Sequence, residues 1–192
     1  MEENLRWYKE KKLDRLCKIL LDKGYLIHRV FSAKEAKEKI LTLLNKEKTI
    51  ALGDSWELTN EEFINELKEY KFYNRFKETS EEAKRASLLA QIAIIEGELV
   101  TEDGQILVVG DYNTSLSLFG AEKIIVLISE NKVLKDIDSA FKRISDYEKY
   151  YRMRTEKLKN KNDGLSIGII ENGKKFSKKI SIVISTEDTG LR

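Results

Sequence analysis

The sequence predicts a single α/β domain: a mainly parallel, Rossmann-like sheet flanked by helices, with an N-terminal helical portion and a C-terminal β-hairpin. Three observations carry that expectation. Short, continuously apolar runs recur along the 192 residues, as strands buried on both faces require. Segments with helical spacing and start signals alternate with these runs, the pattern of βαβ units. Most of the runs end in a glycine or a short polar turn rather than in a linker. The expected divisions are a helical portion at 1–47, an α/β core at 48–158 and a hairpin at 165–185, all within one domain over 1–192.

The elements follow in order. Residues 4–23 place Leu5, Tyr8, Lys12, Leu16, Ile19 and Leu20 near helical spacing. Gly24 suits the helix C-terminus, and Tyr25-Leu26-Ile27 reads as a short strand. Ser32-Ala33-Lys34-Glu35 is a capping box that opens a second helix with Ala36, Ile40, Leu43 and Leu44 inward. Thr49-Ile50-Ala51-Leu52 is a buried strand ending at Gly53. A helix begins near Thr59-Asn60 with Phe63, Ile64 and Leu67 on one face. Aromatic residues at 70–76 hold another short strand, and Ser80 begins a helix carrying Ala83, Ala86, Leu89 and Ala90. Residues 92–95 form the next buried strand. Residues 99–101 and 106–109 then make a hairpin across Glu102-Asp103-Gly104. A short helix at 114–119, a strand at 123–128 and a helix at 134–158 with Ile137, Ala140, Phe141 and Ile144 inward complete the core. Residues 165–170 and 179–184, joined by Asn172-Gly173, read as the terminal hairpin.

Composition excludes several classes of function. With 35 basic against 33 acidic residues, the net charge of +2 leaves no electrostatic footprint for nucleic acid. One cysteine, Cys17, precludes an internal disulfide or a cysteine-rich metal site, and its apolar neighbours suggest a core position. A single histidine, His28, cannot by itself build a zinc or iron site. No apolar run approaches the ~20 residues that cross a bilayer, and the acidic start Met1-Glu2-Glu3-Asn4 lacks a secretory pattern, so membrane insertion is not expected and a cytoplasmic location is. Walker A, G-x-G-x-x-G, G-x-S-x-G and H-E-x-x-H patterns are missing from the sequence.

In open α/β sheets, ligands bind at the carboxyl ends of the strands. That rule selects the polar segments after the apolar runs. Gly53, Asp54 and Ser55 offer close backbone approach, N–H groups and a hydroxyl for an anion; the same residues would equally serve a tight turn into a capped helix. Glu96, Glu102 and Asp103 are acid–base candidates if burial raises a pKa, with Glu102 and Asp103 the catalytic candidates carried forward; with Gly104 they also suit a solvated turn. Asn113 follows the strand at 106–109. Asn131 and Lys132 follow the strand at 123–128, where the lysine could neutralise a carboxylate or phosphate or lie on the surface. The expected ligand site is therefore Gly53, Asp54, Ser55, Glu102, Asp103, Gly104, Asn113, Asn131 and Lys132.

A series of short motifs runs through the chain in a fixed order: Trp7-Tyr8, Gly53-Asp54-Ser55, Lys84-Arg85-Ala86, Thr101-Glu102-Asp103-Gly104, Phe119-Gly120, Asn131-Lys132-Val133-Leu134-Lys135-Asp136, Arg143-Ile144 and Glu187-Asp188-Thr189-Gly190-Leu191. In that order the chain resembles the lactate-utilisation (LUD) domain family of bacteria. The resemblance implies a fold similar to the glucosamine-6-phosphate deaminase, ribose-5-phosphate isomerase and CoA-transferase group. It also implies an accessory role in lactate or organic-acid oxidation beside oxidoreductase partner subunits. Two departures stand out. The family's Gly-Asn-Arg loop reads Tyr112-Asn113-Thr114, without the arginine, and its cysteine-bearing segment corresponds to residues 157–164, without cysteine. No cofactor is therefore expected. Three functional readings follow: an accessory protein binding a small anionic metabolite or a partner; an enzyme acting on a phosphosugar, CoA thioester or related anion; and a non-catalytic interaction module, possible also as a homo-oligomer, using Tyr147, Tyr150, Tyr151, Arg152 and Arg154.

Overall fold

In the computed structural model, residues 2–55, 57–74, 77, 80–146, 166–174 and 179–189 are described. Helix α1 (Glu2–Asp22) buries Leu13, Leu16 and Leu20 on one face, whereas Leu5 and Tyr8, expected on that face, are exposed. Gly24 ends it with φ +88°; its N–H reaches Leu21 O at 2.9 Å and the Tyr25 N–H reaches Leu20 O at 3.1 Å. This paired capping satisfies the last carbonyls and needs a left-handed residue at the turn. Strand β1 (Leu26–Val30) follows, then α2 (Ala33–Thr42), whose Ser32 Oγ accepts the Glu35 N–H while the Glu35 carboxylate accepts the Phe31 N–H. Next come β2 (Thr49–Leu52), α3 (Glu61–Leu67) capped by Asn60, β3 (Lys71–Tyr73), α4 (Glu81–Leu88) capped by Ser80, and β4 (Ile92–Glu96).

Strands β5 (Leu99–Thr101) and β6 (Ile106–Val109) pair antiparallel. Helix α5 (Asp111–Ser115) runs on into a π-turn, Leu116–Gly120. Strand β7 (Lys123–Ser129) ends in a 3₁₀ turn, Glu130–Lys132, and is followed by β8 (Val133–Leu134) and a helix at 137–146, α6. The last strands are β9 (Ile167–Ile170) and β10 (Ile180–Ser185). The continuation of the helix expected to residue 158, the stretch Tyr147 to Arg154 and the segment 157–164 lie outside the described residues.

Two sheets result. The larger has six strands in the order β1-β10-β7-β4-β2-β3, every pairing parallel; the smaller has the order β8-β5-β6-β9. Period-two alternation sorts the central strands into two cores. Ile50, Leu52, Ile92, Ile94, Ile125, Leu127 and Val183 face α2 and α3. Ala51, Ala93, Ile95, Val126, Ile128, Ile182 and Ile184 face α1 and the inner side of the small sheet, where Val100, Ile106 and Val108 join them. Leu99 and Leu107, on the outer side of the small sheet, pack under Ala140 and Ile144 of α6.

The expected C-terminal hairpin does not form. Strand β9 pairs antiparallel with β6 in the small sheet, whereas β10 lies between β1 and β7 in the large one. The cause is burial. All six residues of β10 are buried, so both of its faces need cover and only an interior position of the large sheet supplies it; β9 alternates buried with more exposed residues, as a strand with one open face does. The Asn172-Gly173 segment, read as a hairpin turn, instead docks on the end of α1. There the Gly173 N–H donates to Lys23 O at 2.9 Å, and a Cβ on Gly173 would lie 3.0 Å from Gly24 O.

That docking makes Gly24 a sensitive position, since a Cβ there would also meet the Lys174 backbone at 3.1 Å. Gly24→Ala is expected to lower unfolding stability by about 1–2 kcal/mol through the left-handed conformation alone, with the contact adding to it. Urea denaturation of the two proteins measures this, and an unchanged midpoint would contradict the capping role.

Candidate functional site

Because the six strands of the large sheet are parallel, the polar residues that follow β2, β4 and β7 emerge on one edge. The first is the segment 53–55. The Gly53 N–H continues the ladder to Ile94 O at 2.8 Å before the chain leaves the sheet. A Cβ on Gly53 would fall 2.3 Å from Asn113 Oδ1, so only glycine fits. Buried Asn113, in the first turn of α5, clips this loop. Its Oδ1 accepts the Asp54 N–H at 2.7 Å, and its Nδ2 donates to Asp54 O at 2.9 Å and Val109 O at 3.2 Å. The amide is thus committed to positioning the loop.

The clip leaves Ser55 directed at Glu96, the last residue of β4. Ser55 Oγ donates to Glu96 Oε2 at 2.5 Å and accepts the Leu58 N–H at 3.0 Å. The other carboxylate oxygen, Oε1, is in contact with the ammonium of Lys132, which closes the 3₁₀ turn after β7. Ser55 is 9% exposed, and Glu96 and Lys132 are 4% each. Three strand ends therefore meet in one buried hydroxyl–carboxylate–ammonium chain. Such a chain fixes a carboxylate beside a hydroxyl whose proton it can accept, next to a cation that can attract a ligand oxygen.

Glu98 stands two residues beyond Glu96. Burial raises its carboxyl pKa above the ordinary glutamate range; Lys132 and Arg143 pull against that, and the charge of Glu96 adds to it. Arg143, on α6, donates to Asn131 O at 2.9 Å.

Neighbouring groups hold the Lys132 turn in place. Asn131 Oδ1 accepts the Ser129 hydroxyl at 2.6 Å and the Thr189 N–H at 3.4 Å, while its Nδ2 donates to Thr189 O at 3.2 Å. Buried Glu130 takes Lys12 at 3.1 Å and Lys9 at 3.2 Å, both from α1, and Lys9 reaches Asp188 at 2.5 Å. Helix α1 and the segment after β10 are thereby tied to the turn that carries Lys132.

The structure brings Gly53, Asp54, Ser55, Asn113, Asn131 and Lys132 to this edge and takes Glu102, Asp103 and Gly104 elsewhere. Strand β5 carries the chain about 13 Å from Glu98 to Glu102 at ~3.3 Å per residue, and the turn docks beneath α1. A Cβ on Gly104, at φ +79°, would lie 3.1 Å from Ile19 and 3.2 Å from Lys23, and Asp103 is exposed. Glu102 lines a separate groove of about 250 Å³ with Tyr8, Lys11, Lys12, Arg15 and Leu16. The residue that joins the site is Glu96, which the sequence offers only as one acid among several, and its neighbour Glu98 is not singled out there at all. The available signal is two carboxylates in Glu96-Gly97-Glu98, directly closing an apolar run where a buried strand ends.

Cys17 packs against the core; burial raises its thiol pKa, Arg29 opposes and Asp14 adds, so it is held as a thiol. His28, the sole histidine, lies on β1, at the opposite edge of the sheet from β2 and β3, and so cannot serve Ser55 as a base. Among the described residues no group of three or more His, Cys, Asp or Glu is placed to hold a metal ion.

Comparison with known proteins follows the same lines. The LUD domain family profile matches residues 13–184. The fold is similar to the crystal structure of a DUF162 family protein from Deinococcus radiodurans, with a TM-score of 0.60 and 13% identity over 93% of this chain and 98% of that one. No curated protein matches the chain.

Two stability experiments test this geometry. Lys132→Met strands a buried carboxylate and is expected to cost about 3–5 kcal/mol; adding Glu96→Gln to the same chain should recover part of the loss. Additive losses in that double-mutant cycle would show that the two side chains do not interact. For Glu98 the sign runs the other way. A carboxyl whose pKa is raised on folding binds its proton more tightly in the folded state, so folding loses stability as pH climbs above the ordinary value of about 4.3. Glu98→Gln should therefore melt at a higher temperature than the unaltered protein at about pH 8, with the gap closing below about pH 4; an equal gap at both would refute the assignment.

Proposed function

This chain belongs to the LUD domain family, and from that premise we propose that it is an accessory protein of lactate or related organic-acid utilisation that binds a small anionic metabolite at the Ser55–Glu96–Lys132 edge. It would work beside oxidoreductase partner subunits and bring no cofactor of its own. The observation that carries the reading is Lys132. Lys132 is 4% exposed, and among the described residues its ammonium, with three N–H donors, meets one acceptor, Glu96. Buried donors are satisfied by acceptors, and a carboxylate or phosphate oxygen is the acceptor whose charge also suits an ammonium. The location agrees with the general preference of ligands for the carboxyl edge of a parallel sheet.

A second reading, an enzyme acting on a phosphosugar or CoA thioester, is favoured by one bond. Ser55 donates to Glu96 at 2.5 Å, which places a base on a hydroxyl at the same edge. The two readings share the site and differ in turnover.

A thermal-shift screen of L-lactate and other organic acids, phosphosugars and CoA esters separates them. A ligand at about 100 times its Kd adds roughly 2.7 kcal/mol to stability. An organic acid is expected to raise Tm, Ser55→Ala to weaken the shift, and chromatography to find the ligand unchanged. Conversion of a phosphosugar or thioester would favour the enzyme, and no shift with any anion would count against both.

A further inference from the structure

The groove beside Glu102 takes no part in the Ser55–Glu96–Lys132 edge. Helix α1 lines it with Tyr8, Lys11, Lys12, Arg15 and Leu16, spaced at i, i+3, i+4, i+7 and i+8 and therefore on one face of the helix. Glu102, in the turn after β5, borders it from the small sheet. Both sides are fixed. The Glu102 N–H donates to Leu134 O at 2.7 Å and the Gly104 N–H to Thr101 O at 2.8 Å, while Gly104 fits against Ile19 and Lys23. On the helix, Lys12 donates to Glu130 Oε1 at 3.1 Å and to Val133 O at 3.0 Å. We propose that this groove is a binding site for a free α-amino acid with an apolar side chain, its carboxylate received by Arg15 and its ammonium by Glu102. The proposal is independent of the anion site read at the Ser55–Glu96–Lys132 edge.

The protein does not neutralise all the charges that border the groove. Lys12 shares Glu130 with Lys9, and Lys9 also meets Asp188, so those two cations face two acids. Lys11 lies 3.5 Å from Asp14, which Arg29 also holds. Arg15 and Glu102 are left. Among the described residues neither side chain makes a hydrogen bond or an ion pair, with the other or with any further group. An unpaired guanidinium and an unpaired carboxylate in one groove suit a ligand that carries both charges. A simple anion would meet Arg15 and be repelled by Glu102, and a simple amine would do the reverse. A guanidinium receives a carboxylate through two parallel N–H bonds, and an ammonium brings three donors to a carboxylate. A hydroxyl could donate to Glu102 as well, but only an ammonium offsets its charge. The rest of the surface is apolar: Leu16 is buried, and Tyr8 exposes its ring. Covering that surface with an aliphatic or aromatic side chain is favourable. The volume of about 250 Å³ lies below the roughly 300 Å³ at which sites for drug-sized ligands begin, so a single amino acid is nearer its scale than a dinucleotide.

The experiment is isothermal titration of the intact protein at about pH 7, where a free α-amino acid carries both charges. The probes are L-phenylalanine and L-leucine, with three analogues of the former. In 3-phenyllactate a hydroxyl replaces the ammonium, 3-phenylpropionate lacks the donor altogether, and phenethylamine lacks the carboxylate. The two amino acids are expected to bind, and each analogue to bind about tenfold more weakly or worse, because each loses a hydrogen bond between charged groups. Arg15→Gln should weaken phenylalanine by a similar factor. Glu102→Gln should bring phenylalanine down to the level of 3-phenyllactate and leave 3-phenylpropionate no weaker than before. Neither side chain holds another part of the protein, so both variants should fold as the unaltered chain does. Equal binding of phenylalanine by the unaltered protein and Arg15→Gln would overturn the proposal. So would analogues that bind as tightly as the amino acid, or no binding of either amino acid at millimolar concentration. The comparison of analogues needs only the unaltered protein, and none of these outcomes bears on anion binding at the Ser55–Glu96–Lys132 edge.

Discussion

A parallel sheet covered on both faces leaves almost no room for polar side chains along its strands. Each position of β4, β7 and β10 faces either the α2–α3 side or the α1 and small-sheet side, and alternating residues fill the two cores. Burial at about 25 cal/mol per Å² rewards every apolar side chain there, and an unpaired polar group would cost a few kcal/mol. Polar chemistry is therefore confined to the ends of the strands. Because the strands are parallel, the C-terminal ends of β2, β4 and β7 lie together, and that is where Ser55, Glu96 and Lys132 meet. The constraint that makes the core also gathers these three side chains.

The pairing of Lys132 with Glu96 is costly to desolvate and is compensated only while both partners are present. Its value in this fold is geometric: it joins β4 to the turn after β7 across a buried edge. Glu98 adds a partly buried carboxyl whose pKa is raised on burial, which works against stability at neutral pH. Groups held at such expense are characteristic of places where binding or proton transfer is performed.

The small sheet and α1 serve the same edge from outside. The turn Thr101-Glu102-Asp103-Gly104 fits against Ile19, Leu20 and Lys23, and the 172–174 turn docks on Gly24, so two turns at one end of the small sheet brace the C-terminal end of α1. Helix α1 in turn sends Lys9 and Lys12 to Glu130, next but one to Lys132. The long N-terminal helix is therefore part of the support of the Lys132 turn. This gives the Glu-Asp-Gly turn a packing role away from the strand-end residues it was grouped with.

The sequence by itself determined whatever depends on a few adjacent residues. Ser32, Asn60 and Ser80 cap the helices that begin at Ala33, Glu61 and Glu81; Gly24 ends α1; the apolar runs are strands; and the chain is recognisable as a LUD domain over residues 13–184. It also identified Ser55 and Lys132 as residues following buried strands. Tertiary structure alone decided that β9 and β10 go to different sheets, that Glu102 faces α1, and that Glu96 is the group joining Ser55 to Lys132. The physical reason is range. Caps and alternation act over three or four residues, whereas strand order and side-chain pairing across 41 and 36 residues depend on which faces can be covered once the whole chain has packed.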